Sequence, residues 1–149
     1  MDGSGVEIRE LHSITREQFV AMGNGYTSNA KYAVRRTETA GLTTIAIELV
    51  PLEKPCVKVW PCSRQDIERM SDLLHHGMSL EALEGDRLVG VAIAEPRRWN
   101  NTLWVDTIHV DTNYRNRGIG SRLMRGIEAN ARLNGFRIIG LETQRSPSS

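Results

Sequence analysis

Arg115-Asn116-Arg117-Gly118-Ile119-Gly120 decides the reading of this chain. It has the form R-x-x-G-x-G and lies between a strand pattern and a helix pattern. Two glycines let the backbone pass close to a ligand with no Cβ in the way. A helix that opens at Gly118 points unpaired N–H groups and a partial positive charge outward, which suits a phosphate or pyrophosphate. Arg115 and Arg117 add charge where an anion would sit.

The flanks support this reading. Upstream, Leu103-Trp104-Val105-Asp106-Thr107-Ile108-His109-Val110 is rich in β-branched and aromatic residues, as a strand is. Downstream, Ile119, Leu123, Ile127 and Ala131 recur every four residues with Met124 beside them, the buried stripe of a helix. Gly135 closes that helix. Phe136 to Glu142 is a second strand. Strand, glycine turn, helix and strand make a βαβ unit with a right-handed crossover. The dinucleotide fingerprint G-x-G-x-x-G is the rival, but no third glycine follows Gly120 at the required step.

The stretch Val105 to Gln144 resembles the acetyl-CoA-binding core of the GNAT (Gcn5-related N-acetyltransferase) superfamily. The residues that carry the resemblance are V-D-x-I-x-V from Val105 and Y-R-N-R-G-I-G-S-x-L-M from Tyr114. The ending Leu141-Glu142-Thr143-Gln144 is similar to the streptothricin-acetyltransferase-like branch. The resemblance implies an N-acetyltransferase that moves acetyl from acetyl-CoA to a primary amine of a small molecule. It implies that the backbone of Ile108, His109 and Val110 binds the pantetheine arm and the acetyl group. The backbone of Arg115, Asn116, Arg117, Gly118, Ile119 and Gly120, with Ser121, would hold the pyrophosphate.

A neutral amine must attack the thioester, so a base has to take a proton. Asp106 is the candidate, at a strand position where the family often carries a carboxylate; binding a cationic substrate without accepting a proton is the open alternative. Glu142 ends the facing strand and could bind a substrate ammonium, or be a surface charge. Trp104 is a candidate wall of the acceptor pocket, with core packing as the alternative. Strict alternation puts Trp104, Asp106, Ile108 and Val110 on one face and Val105, Thr107 and His109 on the other. His109 then points away from Asp106 and reads as a packed strand histidine.

Earlier segments give an α+β protein with a mixed, mostly antiparallel sheet flanked by helices. Val6 to Leu11 is a short strand. Thr15 and Gln18 form a capping box before a short helix. Lys31 to Arg36 and Thr43 to Val50 read as strands around the Ala40-Gly41 turn, with Pro51 and Pro55 breaking the chain. Ser63-x-x-Asp66 caps a helix with Ile67, Met70, Leu73 and Leu74 on its apolar face. Leu80 to Glu84 and Arg87 to Glu95 form a hairpin through Gly85-Asp86. The expectation is a single N-acetyltransferase-like domain over residues 1–144 and a disordered tail over 145–149.

Composition fits this. A hydrophobic fraction of 40% and a charged fraction of 25% are those of a globular domain. A net charge of +1 gives no argument for nucleic acid. The arginines around the glycine turn lack the aromatic interleaving of a nucleic-acid face. Cys56 and Cys62 lack metal-site partners and read as reduced structural or surface thiols. No apolar run reaches the ~18 residues of a membrane span, and no secretory signal is visible, so the expectation is cytoplasmic with no membrane partner.

After LETQ the family continues with a helix whose tyrosine protonates the leaving thiolate, and with two more strands. Here five residues follow Gln144, and no tyrosine lies beyond Tyr114. The expectation is a truncated sheet with its last strands missing and an apolar edge at Phe136, Ile138 and Ile139. A homodimer would cover that edge, with the early strands of the same chain as the alternative. The same truncation raises the alternative of an acyl-CoA-binding module that is catalytically weak or inert.

Overall fold

The computed structural model describes residues 5–23 and 25–142. By internal contact these fall into two units: residues 5–23 with 61–142, and residues 25–60. The expected disordered tail, and the expected domain end at residue 144, lie outside the described residues.

The larger unit carries a five-stranded sheet in the order β1-β4-β5-β6-β7. Its strands are β1 (Val6–Glu10), β4 (Leu80–Glu84), β5 (Arg87–Arg97), β6 (Thr102–Val110) and β7 (Ile138–Leu141). All neighbours are antiparallel except β6 and β7, which run parallel on either side of α3 (Ile119–Leu133). This is the mixed, mostly antiparallel sheet with a βαβ unit that the pattern predicts. β5 is apolar without a break from Leu88 to Ala94 and is buried on both faces. One face packs Val89, Ala92 and Ala94 against Ile119, Leu123, Ile127 and Ala131 of α3. The other packs Leu88, Val91 and Ile93 under α1 (Arg16–Ala21) and α2 (Arg64–Leu73), through Leu11, Met22, Met70 and Leu74.

Both helix starts behave as their sequences require. Thr15 Oγ1 accepts from the Gln18 N–H at 3.1 Å, and the Gln18 side chain returns a bond to the Thr15 N–H. Ser63 and Asp66 do the same for α2. The hydrogen bonds from Ser63 hold the Asp66 carboxyl below its ordinary range. Cys62 is buried in the α1–α2 cluster, and burial pushes its thiol up.

Two expectations need correction. Phe136 is not an exposed edge residue: it is 7% exposed and packs in the α3 face. The chain turns inward there before β7 begins at Ile138, while Ile138 and Leu141 remain exposed. Pro51 and Pro55 also do not end a strand. In the smaller unit β2 (Gly25–Thr39) and β3 (Leu42–Val59) form one long hairpin. Ser28 pairs with Cys56 and Ala30 with Pro51, so residues 52–55 bulge out of the ladder. A proline costs nothing where no ladder N–H is needed. The turn is at Ala40-Gly41, as read, with Gly41 at φ 78°. One side of this hairpin exposes Tyr32, Val34, Ile45, Ile47 and Leu49. No helix among the described residues is long and apolar enough to cross a membrane.

Candidate active site

The glycine turn links β6 to α3 through two left-handed residues. After β6, Asp111 caps a short 3-10 turn (Thr112–Tyr114), accepting from the Asn113 N–H at 2.9 Å. The side chain of Asp111 is buried and pairs with Arg87 at 3.2 Å. Asn116 and Gly118 then take positive φ, 62° and 79°. Two left-handed residues turn the backbone so that α3 begins at Ile119, whose side chain is core; only its backbone is available to a ligand. Nothing lies within 4 Å of where a Cβ on Gly118 would be, so that side of the turn is open. The first intrahelical bond runs from the Arg122 N–H to the Gly118 carbonyl, 3.0 Å. The N–H groups before it are those a helix leaves for a ligand.

The arginines of the motif are tethered beside this opening. Arg115 Nε donates to the Val110 carbonyl at 3.3 Å, and Arg117 lies over the Tyr114 ring at 4.9 Å. Arg87 lies on the same ring at 5.5 Å. Tyr114 Oη donates to Glu84, and that bond raises the phenol above its ordinary value. Asn116 and Ser121 are exposed at the turn.

β6 supplies the second half of the site. Its parallel ladder with β7 runs from Thr102–Ile138 to Val105–Leu141; Asp106 is the next residue of β6, and Glu142, expected to end the facing strand, is the first residue past β7. The two predicted carboxylates therefore stand at the same level, where the ladder stops. Beyond that level the Asp111 N–H goes back to Val89 of β5, 2.8 Å. Alternation then turns the N–H groups of Val110 and Ile108 to the other side, away from β5.

The face assignments from strict alternation are wrong beyond Asp106. Ala94 pairs with Val105 and Ile93 with Thr107, so Asp106 is a bulge residue with no partner on β5. One extra residue reverses the alternation. Ile108 and Val110, opposite Ala92 and Gly90, lie on the α3 face. Thr107 and His109, opposite Ile93 and Val91, lie on the α1–α2 face with Asp106. His109 thus shares the Asp106 face. It is still a packed histidine: Nε2–H donates to the Gly23 carbonyl at 2.5 Å, and the ring lies 5.1 Å from that of Phe19. Burial, chiefly, lowers its pKa.

Asp106 reaches α2. Arg69 Nη1 contacts both carboxylate oxygens of Asp106, and Thr107 Oγ1 donates to Oδ2 at 2.8 Å. Arg69 lies 37 residues away in sequence, and no local spacing could have revealed it. Trp104 sits between Arg97, 4.0 Å above its ring, and Gly140, where an added Cβ would lie 2.8 Å from the indole. Arg97 also pairs with Glu95 at 3.3 Å. Glu95, opposite Trp104, is a further carboxylate on this face that the sequence reading passed over. Glu142 is exposed.

The acetyltransferase (GNAT) family pattern matches residues 43–148, most of the chain. The chain belongs to that family, whose acetyl donor is acetyl-CoA. Among solved structures it is similar to nourseothricin acetyltransferase, with a TM-score of 0.66 and 23% identity over 93% of this chain and 74% of that one. It is similar to a Bacillus anthracis str. Ames protein described as a streptothricin acetyltransferase, in complex with acetyl coenzyme A, with a TM-score of 0.65 and 21% identity over the same shares. A GNAT family acetyltransferase from Streptococcus pneumoniae matches with a TM-score of 0.55 and 16% identity, over 95% of this chain and 77% of that one. At these identities the likeness is one of fold. No curated protein matches the chain.

Proposed function

We propose that this chain transfers acetyl from acetyl-CoA to a primary amine of a small molecule. The observation that carries this reading is the left-handed turn at Asn116 and Gly118, which opens α3 toward an anion directly after a strand whose parallel ladder has just ended. In the reading, the backbone from Arg115 to Gly120, with Ser121, holds the pyrophosphate. The backbone of Ile108, His109 and Val110 lines the pantetheine and acetyl group, and an outward N–H of β6 stabilises the oxyanion. Asp106 takes the proton of the attacking amine, directly or through water. The nitrogen then bonds to the acetyl carbon, the C–S bond breaks, and CoA leaves as thiolate. A free thiol has a pKa of about 8.5, so the leaving group needs little acid assistance at neutral pH. Asp106 also receives the ammonium of the attacking amine before that proton moves, Glu142 binds a second ammonium of the acceptor, and Trp104 walls the pocket.

The reading extends to a cytoplasmic homodimer. Its support is that, among the described residues, no strand pairs with the outer edge of β7, and that Ile138 and Leu141 are exposed there. Thiol release from acetyl-CoA, followed with a panel of amines beside calorimetric titration of CoA, tests the activity. Streptothricin, nourseothricin, polyamines, aminoglycosides and amino acids form the panel. CoA binding without thiol release for any amine would leave an acyl-CoA-binding module instead.

A further inference from the structure

Arg69 makes an unusual contact for an arginine. A guanidinium normally meets a carboxylate as a fork, with two nitrogens on two oxygens. Here one nitrogen, Nη1, touches both oxygens of Asp106. A primary ammonium, a single nitrogen with several N–H bonds, meets a carboxylate in the same way. The side chain of Asp106 is only 17% exposed and that of Arg69 is 50% exposed. An unpaired carboxylate would be costly at such a position, and Arg69 supplies its cation from the solvent side.

We infer that Arg69 is a resident cation on Asp106, standing where the ammonium of the acceptor goes, and that the arriving amine displaces it. This rests on the proposed role of Asp106 toward the acceptor. The exchange replaces one positive charge by another, so the carboxylate is not left bare at any stage. Thr107 Oγ1 stays on Oδ2 throughout and keeps the carboxylate aimed. The displaced guanidinium needs only to swing outward on its long stem. Arg69 therefore sets the affinity for cationic acceptors by competing with them, and is a specificity residue, not a catalytic one.

The test uses methylammonium as the smallest probe, with tetramethylammonium as a control of equal charge and no N–H. Binding is followed by NMR at the backbone amides of Asp106 and Thr107 and at the Arg69 side chain. In the wild type, methylammonium should shift these signals saturably, and tetramethylammonium should not. Arg69→Ala should tighten methylammonium binding about two- to fivefold, the range that partly exposed ion pairs are worth. Arg69→Lys, which keeps a resident cation, should restore wild-type affinity. Asp106→Asn should abolish the saturable shift. Equal or weaker binding in Arg69→Ala, or no Arg69 response in the wild type, overturns the inference. Dispersed spectra of each variant establish that it is folded. Turnover of Asp106→Asn is a separate measurement: wild-type turnover there would remove the base assignment while leaving the cation exchange to the NMR result.

Discussion

Val105 pairs with Leu141, and with that pair the parallel ladder between β6 and β7 stops. The next residue on β6 is Asp106, which a bulge also leaves without a partner on β5. The carboxylate is thus carried by a residue with no ladder partner on either side, although β6 pairs with β5 again from Thr107. Asp106→Asn is expected to lower kcat by about 10²–10⁴-fold while acetyl-CoA affinity stays near wild type. Steady-state kinetics beside calorimetry checks this, and undiminished turnover would move the base to ordered water or another residue.

Gly118→Glu is expected to abolish acetyl-CoA binding. Gly118 is at φ 79°, and the space beside it is open to a ligand, so the variant puts strain, bulk and negative charge at the pyrophosphate position. Gly120→Glu tests the same site without the positive φ; a Cβ there would make only an ordinary 3.8 Å contact with Val110. Calorimetric titration that found wild-type affinity in both would exclude the turn as the cofactor site.

Asp111→Ala should loosen the 3-10 turn that leads into the glycine turn. It removes the acceptor for the Asn113 N–H and the partner of Arg87. Loss of a cap of this kind costs about 1–2 kcal/mol. Chemical denaturation gives the stability change, and acetyl-CoA affinity should fall with it; an unchanged midpoint would show that the 3-10 turn holds itself.

Acid should destabilise the protein partly through His109. Burial lowers its folded-state pKa, against the Gly23 hydrogen bond and Asp111, which raise it; Arg115 also lowers it. The unfolded chain therefore binds the proton first as pH falls. The contribution of neutral His109 is full above about 6.5 and is lost as pH drops below that toward the folded-state value. Melting temperatures from pH 8 to 4.5 should decline less steeply in His109→Gln than in the wild type. His76, also lowered by burial, contributes in the same direction, and parallel slopes would assign the acid sensitivity to it instead.

Light scattering over a range of concentrations should give a mass near twice the 16.7 kDa of the chain. Ile138→Lys on β7 should shift that mass toward the monomer, because a charge on an edge strand opposes pairing. A single species of chain mass at all concentrations would show that this edge needs no second copy.

The glycine turn, its helix and the flanking strands were legible in the chain because each rests on interactions between near neighbours. Positive φ at Gly118, the four-residue stripe from Ile119 to Ala131, and the capping boxes at Thr15 and Ser63 are all local. The facing of His109 was not legible. It turns on a bulge at Asp106, which exists only because β5 and β6 pair out of step there. The inward turn of Phe136 and the passage of β3 through two prolines likewise depend on what lies across from them. Arg69 on Asp106 is the clearest case. The family resemblance nominated the carboxylate, but its cation came from a helix 37 residues earlier, brought there by packing of α2 on the sheet. Side-chain period and backbone conformation are properties of a segment; register and ion pairing across elements are properties of the packed whole.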